Sequence, residues 1–456
     1  MQDRPNILLI LTDQQSATML GCAGNEHVRT PAMDGIADAG VRFERAYCTN
    51  PVCVPSRFSL MTGLMPSAIG MLSNSLEGVA EIPEAVRANA LGHLLRRAGY
   101  ETAYGGKVHL PRMTAQDIGF EYICRDERDE LAESCAGFIA GRKGRSGPFC
   151  LVASFVNPHD ICYMAIRDSA ATDGERRTVE HGPVECAELD AALARPAGLG
   201  EGAFFAGRCP PLPANFEPQD DEPEAVRLML EQRPFRARAR AEWSPERWRE
   251  HRWAYARLTE RVDGQIARVL AALRESGQSE RTLVVFTSDH GDMDSAHRME
   301  HKSGLYEEAC RVPLIVRTPG RREGGRVDRE HPVSNGLDLL PTLCDWAGLE
   351  PQPGLPGRSL RPLVEGADGG PWRQSVPVES AIGRALAGER FKYARYFLGA
   401  GDEQLIDLRE DPGEMRNALH NQERRRELAE MRAQFQRVFG PEQPSAAEVL
   451  AAANVA

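Results

Sequence analysis

Residues 51–63 place a cysteine directly before a short predicted helix. Cys53 is followed by Val-Pro-Ser-Arg and then by Phe-Ser-Leu-Met-Thr-Gly. Pro55 suits the first helical turn and Gly63 suits the position after the last one, so we predict a helix between them. A helix N-terminus favours a tetrahedral dianion such as sulfate or phosphate, and Arg57 adds a forked cation nearby. The segment therefore indicates an anion-binding active site, although taken alone it also fits an ordinary buried cysteine.

Four polar motifs follow predicted strands at the point where each strand ends. They are Asp13 and Gln14 after strand 6–12, Lys107 and His109 after strand 101–104, His159 and Asp160 after strand 149–155, and Asp289 to Asp292, including His290, after strand 283–288. The carboxyl ends of parallel strands share one edge of an open sheet, which is where ligands bind. An aspartate after a strand is often only a helix cap, but four motifs at one edge beside Cys53 favour a catalytic site.

Apolar runs alternate with helical patterns along the chain, which is typical of a parallel α/β sheet. Residues 6–12 (NILLILT) are continuously apolar, as expected of a strand covered on both faces. The first helix is predicted over residues 31–40, with Thr30 as N-cap and Pro31 at the first helical position. A further strand is predicted at 312–317, and further helices at 90–98, 247–274 and 338–348. We expect a large, mostly parallel sheet flanked by helices.

The chain has 456 residues, which is long enough for one large and one smaller domain. We predict a catalytic domain over residues 1–350, with a variable, cleft-shaping insertion at 165–245. A Pro/Gly linker then leads to a smaller α+β subdomain at 358–440, with strands at 375–380 and 391–397 and a helix near 422–439. Residues 441–456 are predicted to form a tail.

The composition of the chain argues against several classes of protein. The net charge of −11 argues against nucleic acid or an anionic membrane as a partner. No apolar run is long enough to span a bilayer, and no secretory leader precedes the first strand. The 11 cysteines include no Cys-x-x-Cys pair, so they do not indicate a disulfide framework or a zinc site. We expect a cytoplasmic enzyme, or a periplasmic or secreted one if a leader has been removed.

An anionic substrate of such an acidic chain needs a local positive site. One arginine-rich stretch in the insertion fits either a solvated charged face or an anionic-substrate patch. It contains Arg233, Arg236, Arg238 and Arg240.

Together these motifs resemble the type I sulfatases of the alkaline phosphatase superfamily. Cys-x-Pro-Ser-Arg at 53–57 looks like the family signature, and residues 302–308 and 408–414 are similar to family sequences as well. The resemblance runs from about residue 5 into the C-terminal subdomain and is weak only across 165–245. It implies an alkaline phosphatase-like fold and a sulfuric ester hydrolase that cleaves sulfate monoesters.

The resemblance also implies one divalent cation. Asp13, Gln14, Asp289 and His290 would bind it, together with a formylglycine made from Cys53. Carboxylate and amide oxygens suit a hard cation, so we expect Ca²⁺ first and Mg²⁺ next. Gln14 and His290 depart from an all-acidic site, which admits Mn²⁺ as a rival.

In the implied mechanism, a formylglycine-generating enzyme oxidises Cys53, and a hydroxyl of the aldehyde hydrate attacks sulfur. The resemblance assigns further roles around the sulfate. Arg57 would hold the hydrate, Lys107 and Lys302 would neutralise the sulfate oxygens, His159 with Lys302 would stabilise the departing alkoxide, Asp289 would help take the nucleophile's proton, and His109 would remove a proton as the aldehyde re-forms.

The alcohol part of the ester stays open between a sulfated carbohydrate, small or oligomeric, and an aryl sulfate. Candidate pocket residues are Asp160, Tyr163, His297, Arg298 and His301, of which Asp160 or Arg298 could equally form structural ion pairs. One alternative is a phosphonate monoester or phosphodiester hydrolase with the same metal site, although the pair Lys107 and His109 favours sulfate. Another is a non-catalytic sulfatase-like binding protein, if Cys53 is unmodified. A homo-oligomer is also open.

Overall fold

The computed structural model describes residues 4–320, 324–350, 353–367 and 370–440. The predicted tail at 441–456 and residues 351 and 352 of the predicted linker lie outside the described residues. The described strands are β1 Asn6–Asp13, β2 Val41–Phe43, β3 Ala46–Tyr47, β4 Glu101–Gly106, β5 Glu121–Cys124, β6 Phe149–Pro158, β7 Thr282–Ser288, β8 Leu314–Arg317, β9 Arg326–Asp328, β10 Val333–Ser334, β11 Ser375–Ser380, β12 Gly383–Gly388, β13 Phe391–Tyr396 and β14 Glu403–Asp407.

The α-helices pack around these strands, and helices cover both faces of the large sheet. In the described residues they are α1 Pro31–Asp38, α2 Cys53–Thr62, α3 Glu84–Ala88, α4 Leu91–Arg97, α5 Leu131–Ala140, α6 Cys162–Ser169, α7 Asp173–Glu180, α8 Pro183–Leu193, α9 Glu201–Gly207, α10 Glu224–Glu231, α11 Pro234–Glu242, α12 Pro245–Glu275, α13 Glu307–Cys310, α14 Asn335–Trp346, α15 Arg361–Glu365 and α16 Arg425–Phe439. None of these described helices has the combination of length and apolar character that crossing a membrane requires.

The large sheet has eight described strands in the order β5-β4-β6-β1-β7-β8-β2-β9. Most neighbours are parallel, whereas β8 runs antiparallel to both β7 and β2. The prediction of a mostly parallel sheet flanked by helices is therefore confirmed. The central strands β4, β6, β1 and β7 lie side by side, so the four polar motifs that follow them meet at one edge.

The strongly apolar strands occupy the middle of the sheet. Every residue of β1 is buried, and its alternate side chains enter two different hydrophobic clusters on the two faces of the sheet. Leu9 packs in the cluster that contains α2 and α14, whereas Ile10 packs in the cluster that contains α1, α5 and α12. This double coverage explains why the strand is continuously apolar rather than alternating.

Helix α2 begins two residues earlier than predicted, at Cys53 itself. Val52 is extended at the N-cap, and Pro55 is tolerated because it stays within the first turn. Gly63 ends the helix in the left-handed conformation, with φ of 71°, as predicted. All ten residues of the helix are buried, so its N-terminus opens inside the protein rather than on its surface.

Helix α1 begins after Thr30 as predicted, but the Thr30 side chain does not cap it. Its hydroxyl instead accepts from Gly21 N and donates to Asp34. The first N–H groups of α1 donate to the Asp263 carboxylate of α12, from Ala32 at 3.1 Å and from Met33 at 2.9 Å. A tertiary contact thus replaces the local cap, and burial raises the pKa of Asp263 to about 6.

The segment at 165–245, in which no element was predicted, contains the helices α7 to α11. Each has at most 11 residues, which is too short for a clear helical periodicity. Proline stands in the first turn of α8 and α11, where it starts a helix instead of breaking one. The role of this segment as an insertion that shapes the cleft stays a prediction.

The C-terminal part contains the antiparallel sheet β11-β12-β13-β14 with α16 packed on it. Two of its strands match the predicted ones, and β12 and β14 were not predicted. Val376 and Val378 of β11 share a hydrophobic cluster with Met293 and Leu305 of the larger part. The smaller α+β unit is therefore packed onto loops that lead to the strand edge described above. The predicted domain limits themselves remain predictions.

Candidate active site

Cys53 lies at the centre of the strand edge, as the first residue of α2, and is 1% exposed. Lys302 Nζ is 3.1 Å from its Sγ, His290 Nε2 is 3.2 Å away and Asp13 Oδ1 is 3.6 Å away. The chain thus brings residues separated by more than 200 positions around one sulfur atom.

Two carboxylates and one imidazole surround the thiol. Ligand-type atoms of Asp13, Cys53, Asp289 and His290 all lie within 4.8 Å of one another, and all four residues are buried. His290 Nδ1 is 2.8 Å from the Gly291 carbonyl, which fixes this nitrogen as the N–H donor. Its Nε2 faces Asp13 Oδ1 and Asp289 Oδ1, at 3.8 and 3.7 Å. Burial lowers the pKa of this imidazole, but the negative charge of Asp289 outweighs burial and raises it.

The Arg57 guanidinium bridges the carboxylates of Asp13 and Asp289. Its Nε donates to Asp289 Oδ2 at 2.8 Å, and its NH2 group donates to Asp13 Oδ2 at 3.1 Å. Its NH1 group donates to the Lys107 carbonyl and to Ser154 Oγ. The buried guanidinium has a carboxylate on each side, and these raise its pKa further despite burial. Each aspartate is thereby held with its second oxygen turned toward Cys53 or His290.

The ammonium groups of Lys107 and Lys302 give the site its positive potential. Lys107 Nζ is 2.8 Å from Asp13 Oδ2. Burial alone would raise the pKa of Asp13, but the charges of Lys107, Arg57 and Lys302 together hold it well below its ordinary value. Burial and the Asp13 charge also oppose ionisation of Cys53. Lys302 and Lys107 outweigh them and hold the pKa of this thiol well below the usual value, so the site stabilises negative charge at position 53.

Gln14 takes part in a hydrogen-bond chain that the sequence did not predict. Its Oε1 accepts from Lys302 Nζ at 2.8 Å and from Cys162 Sγ at 3.0 Å, and its Nε2 donates to Asp292 at 2.6 Å. Gln14 has φ of 66°, a strained conformation that is typical of functional positions. Asp292 is the last residue of the motif after β7, whereas Cys162 follows the motif after β6 in sequence, which was the only signal for it.

The two histidines differ in their placement. His159 is half-buried, and burial, followed by the charges of Lys302 and Lys107, lowers its pKa to about 4. It therefore faces the same space as both lysines and is neutral near pH 7. His109 is exposed and has φ of 42°. In the part of the chain that the structure describes, its ring has no hydrogen bond to the Cys53 cluster.

Two candidate pocket residues form structural ion pairs instead. Asp160 is buried and accepts two hydrogen bonds from Arg128, at 3.0 and 2.6 Å. Arg298 pairs with Glu217 at 2.8 Å on the exposed side. His297 stacks on Tyr306 with 4.2 Å between ring centroids, whereas His301 is buried beside Phe235 and next to Lys302.

The residues around Cys53 fit a hard divalent cation. Ligands at 2.3–2.6 Å from Ca²⁺ stand at most about 5 Å apart, which agrees with the mutual distances in the cluster. The donors are two carboxylates, which suit Ca²⁺ or Mg²⁺, and an imidazole nitrogen, which admits Mn²⁺. The Gln14 amide oxygen is engaged by Lys302 and Cys162.

Comparison with known proteins shows similarity over nearly the whole chain. The family model described as Sulfatase matches residues 5–349. A second model, N-sulphoglucosamine sulphohydrolase, C-terminal, matches residues 295–439. A Delta 4,5-hexuronate-2-O-sulfatase of Bacteroides thetaiotaomicron is 30% identical, and the match covers 95% of this chain and 88% of the relative.

Solved structures show the same similarity in three dimensions. One described as a 2-O GAG sulfatase superposes with a TM-score of 0.78 at 28% identity and covers 95% of this chain and 92% of its own. A phosphonate monoester hydrolase from Silicibacter pomeroyi superposes with a TM-score of 0.73 at 22% identity, with 95% of each chain covered. The second likeness shows the fold alone.

Proposed function

Because the chain belongs to the sulfatase family and is a sulfate ester hydrolase, we propose that it cleaves sulfate monoesters at Cys53 by a formylglycine mechanism. The observation that carries the proposal is the convergence on one buried sulfur of Lys302, Asp13 and His290. Positive charge around this position suits a bound sulfate, and the helix N-terminus at Cys53 adds to it.

A divalent cation, Ca²⁺ first, would be held by Asp13, Asp289 and His290, with the modified residue 53 as a further donor. Gln14 would join them by giving up one of the hydrogen bonds that its amide oxygen accepts from Lys302 and Cys162. When bound, it would neutralise charge on a sulfate oxygen and lower the pKa of a hydroxyl ligand. Arg57 supports this arrangement because it orients both carboxylates through their outer oxygens. Mg²⁺ and Mn²⁺ remain the alternatives.

The nucleophile would be the hydrate of a formylglycine that a formylglycine-generating enzyme makes from Cys53. The Val-Pro-Ser-Arg context of this cysteine supports the proposal. Cys53 also differs physically from the buried thiols of Cys150 and Cys310, whose pKa values are raised by burial, because the lysines lower its own. A hydroxyl at this position is surrounded by charged side chains, among them Lys302 and Asp13, rather than by apolar ones.

Lys107 and Lys302 would bind the sulfate oxygens, since their ammonium groups flank Asp13 and Cys53. Lys302 keeps its proton because the anionic groups around it raise its pKa even though it is buried. It can therefore stabilise the departing alkoxide, with His159 as a neutral N–H donor beside it. His109 is proposed to act in the later proton removal; its exposed position would require it to turn toward the site.

For the substrate we propose a sulfated carbohydrate, with an aryl sulfate as the second choice. The support is the name of the 30% identical relative, which acts on a sulfated hexuronate. A phosphonate monoester or phosphodiester hydrolase is the runner-up, and the fold of such an enzyme is shared. The pair Lys107 and His109 favours sulfate, and Lys107 Nζ lies 2.8 Å from Asp13 Oδ2 in the site.

Substrate preference tests the reaction type. We expect the protein from its native host to hydrolyse p-nitrophenyl sulfate with kcat/KM at least about 10²-fold above that for bis-p-nitrophenyl phosphate. The reason is that Lys107 and Lys302 are placed to bind the oxygens of a terminal sulfate group. Steady-state release of p-nitrophenol measures both. A larger kcat/KM for the diester would favour the runner-up, and hydrolysis of neither by fully modified, metal-loaded protein would favour a binding protein.

Cation removal tests the metal proposal. We expect dialysis against a chelator to lower kcat by about 10²-fold or more, and Ca²⁺ to restore it. Independently of activity, Ca²⁺ at 100 times its Kd should stabilise the stripped protein by about 2.7 kcal/mol, measured as a rise in Tm. An Asp289→Asn variant should lose most of this rise in Tm. Asp190→Asn, at an exposed position on α8, should keep it. An unchanged Tm with all three cations contradicts the proposal.

A further inference from the structure

Arg236 is a buried cation without a counter-ion. It lies on α11 and is 3% exposed, and its Nε has no hydrogen-bond partner. Among the described residues its guanidinium forms no ion pair. Burying an unpaired charge costs several kcal/mol, and a buried guanidinium normally satisfies its fork with a carboxylate or another anion. The protein itself does not supply this anion.

The groups that face Arg236 cannot compensate it. The groups whose negative charge would act on it are Cys162 and Asp292, but burial raises the pKa of the Cys162 thiol to about 12 and keeps it neutral near pH 7. Asp292 is already engaged by Gln14 Nε2 at 2.6 Å and by the Asp294 N–H at 2.8 Å. Burial therefore dominates and lowers the pKa of Arg236 to about 10, which still leaves the side chain charged at neutral pH.

A second arginine lies one helical turn earlier. Arg233 is half-buried, its Nε also has no hydrogen-bond partner, and burial together with the charge of Arg236 lowers its pKa. Like charges at i and i+3 repel each other. The other two arginines of this stretch are solvated or paired, since Arg238 is exposed and Arg240 forms two hydrogen bonds with Glu222. Arg238 and Arg240 thus fit the interpretation of a solvated charged face, whereas Arg233 and Arg236 do not.

Arg236 lies close enough to the reaction centre to act on ionisable groups beside it. Burial is the main cause that lowers the pKa of His301, and the positive charge of Arg236 is the next largest. The ring of Phe235, which precedes Arg236 in sequence, lies 5.2 Å from the His301 ring. Cys162, one of the groups whose charge would act on Arg236, is linked to Cys53 by contacts of about 3 Å. Cys162 Sγ is 3.0 Å from Gln14 Oε1, Gln14 Oε1 is 2.8 Å from Lys302 Nζ, and Lys302 Nζ is 3.1 Å from Cys53 Sγ.

We propose that Arg236, assisted by Arg233, binds a second anionic group of the substrate, carried by the alcohol part of the sulfate ester. A carboxylate or a further sulfate fits, because each offers two oxygens to a guanidinium fork. The inference rests on the proposed function, since it assumes that the reacting sulfate lies at Cys53. It assigns the preferred substrate to the anionic sulfated sugars rather than to neutral ones.

The test compares four sulfate esters with wild type and Arg236→Met. They are p-nitrophenyl sulfate, a neutral hexose monosulfate, the hexuronate monosulfate with sulfate at the same ring position, and the corresponding hexose disulfate. We expect wild type to prefer an anionic sugar over the neutral one. In the variant the ratio of their kcat/KM values should fall by about 10- to 100-fold. Whichever anionic sugar loses this preference identifies the carboxylate or the second sulfate as the partner.

Arg238→Met is the matched control on the same helix and should leave the ratio unchanged. Arg236→Lys, which keeps the charge but not the fork, should recover only part of it. If Arg236→Met does not fold, Arg233→Met and Arg236→Lys carry the same comparison. An equal loss on neutral and anionic sugars, or no loss on either, overturns the inference. Absence of all hydrolysis by wild type, p-nitrophenyl sulfate included, instead contradicts the proposed function.

Discussion

Replacing Cys53 by alanine is expected to lower kcat/KM for an aryl sulfate by about 10⁴-fold or more, since removal of a nucleophile costs this much in well-studied hydrolases. Alanine fits the buried position at the start of α2 and leaves the contacts between Arg57 and the carboxylates in place. The fold should therefore remain, and Asp13, Asp289 and His290 should keep part of the cation-dependent rise in Tm, while turnover is lost. Steady-state kinetics and thermal unfolding measure the two effects separately.

Cys344→Ala is the matched control, because Cys344 is equally buried but lies on α14 in the hydrophobic core. It should keep kcat/KM within a few-fold of wild type. Mass spectrometry of the peptide that contains Cys53 adds a direct readout, with a mass about 18 Da below the unmodified value. Full activity of protein whose Cys53 peptide carries no mass shift would falsify the formylglycine mechanism.

Replacing Arg57 by methionine is expected to destabilise the protein by about 3–5 kcal/mol, as for other buried ion pairs that lose one partner. The side chain is 1% exposed and touches both Asp13 and Asp289, which would then repel each other in a buried site. Desolvation and the Asp13 charge already raise the pKa of Asp289. Urea unfolding followed by tryptophan fluorescence measures the loss, and kcat should fall as the carboxylates lose their orientation.

The size of this effect should depend on bound cation. Ca²⁺ between the carboxylates replaces part of the missing positive charge, so the destabilisation should be smaller with Ca²⁺ than with a chelator. Arg57→Lys should lie between methionine and wild type, because one ammonium cannot bridge both carboxylates as the fork does. Arg426→Met, at an exposed position on α16, should change stability by less than about 0.5 kcal/mol. A loss of similar size in that control would show that removal of any arginine is costly.

The sequence by itself determined the reaction type and the sheet edge where the site lies. Buried parallel strands are continuously apolar, so β1, β6 and β7 could be located within a few residues, and polar residues after their ends must share one edge. The residues Asp13, Cys53, Asp289 and His290 were named from such motifs, and they meet within 4.8 Å. These signals are local, since each depends on a short segment and on the strand before it.

Other features depended on contacts between distant segments, and only the tertiary structure decided them. The sequence predicts Thr30 as the helix cap of α1. In the structure Asp263, more than 200 residues later, accepts the hydrogen bonds from the first N–H groups of this helix. In sequence Asp160 fits either a pocket residue or a structural ion pair, and the two hydrogen bonds from Arg128 show the ion pair. The four arginines between 233 and 240 look alike in sequence, but burial separates one of them from the rest.

The physical reason is the same in each case. Whether a polar side chain caps a helix, pairs with an ion or awaits a ligand depends on which partners reach it and on how much water remains around it. Residue type and spacing along one segment cannot specify either quantity. For Arg236 the packing of α11 against α6 removed the water without providing an anion, and only this three-dimensional fact distinguishes a substrate-binding arginine from a solvated one.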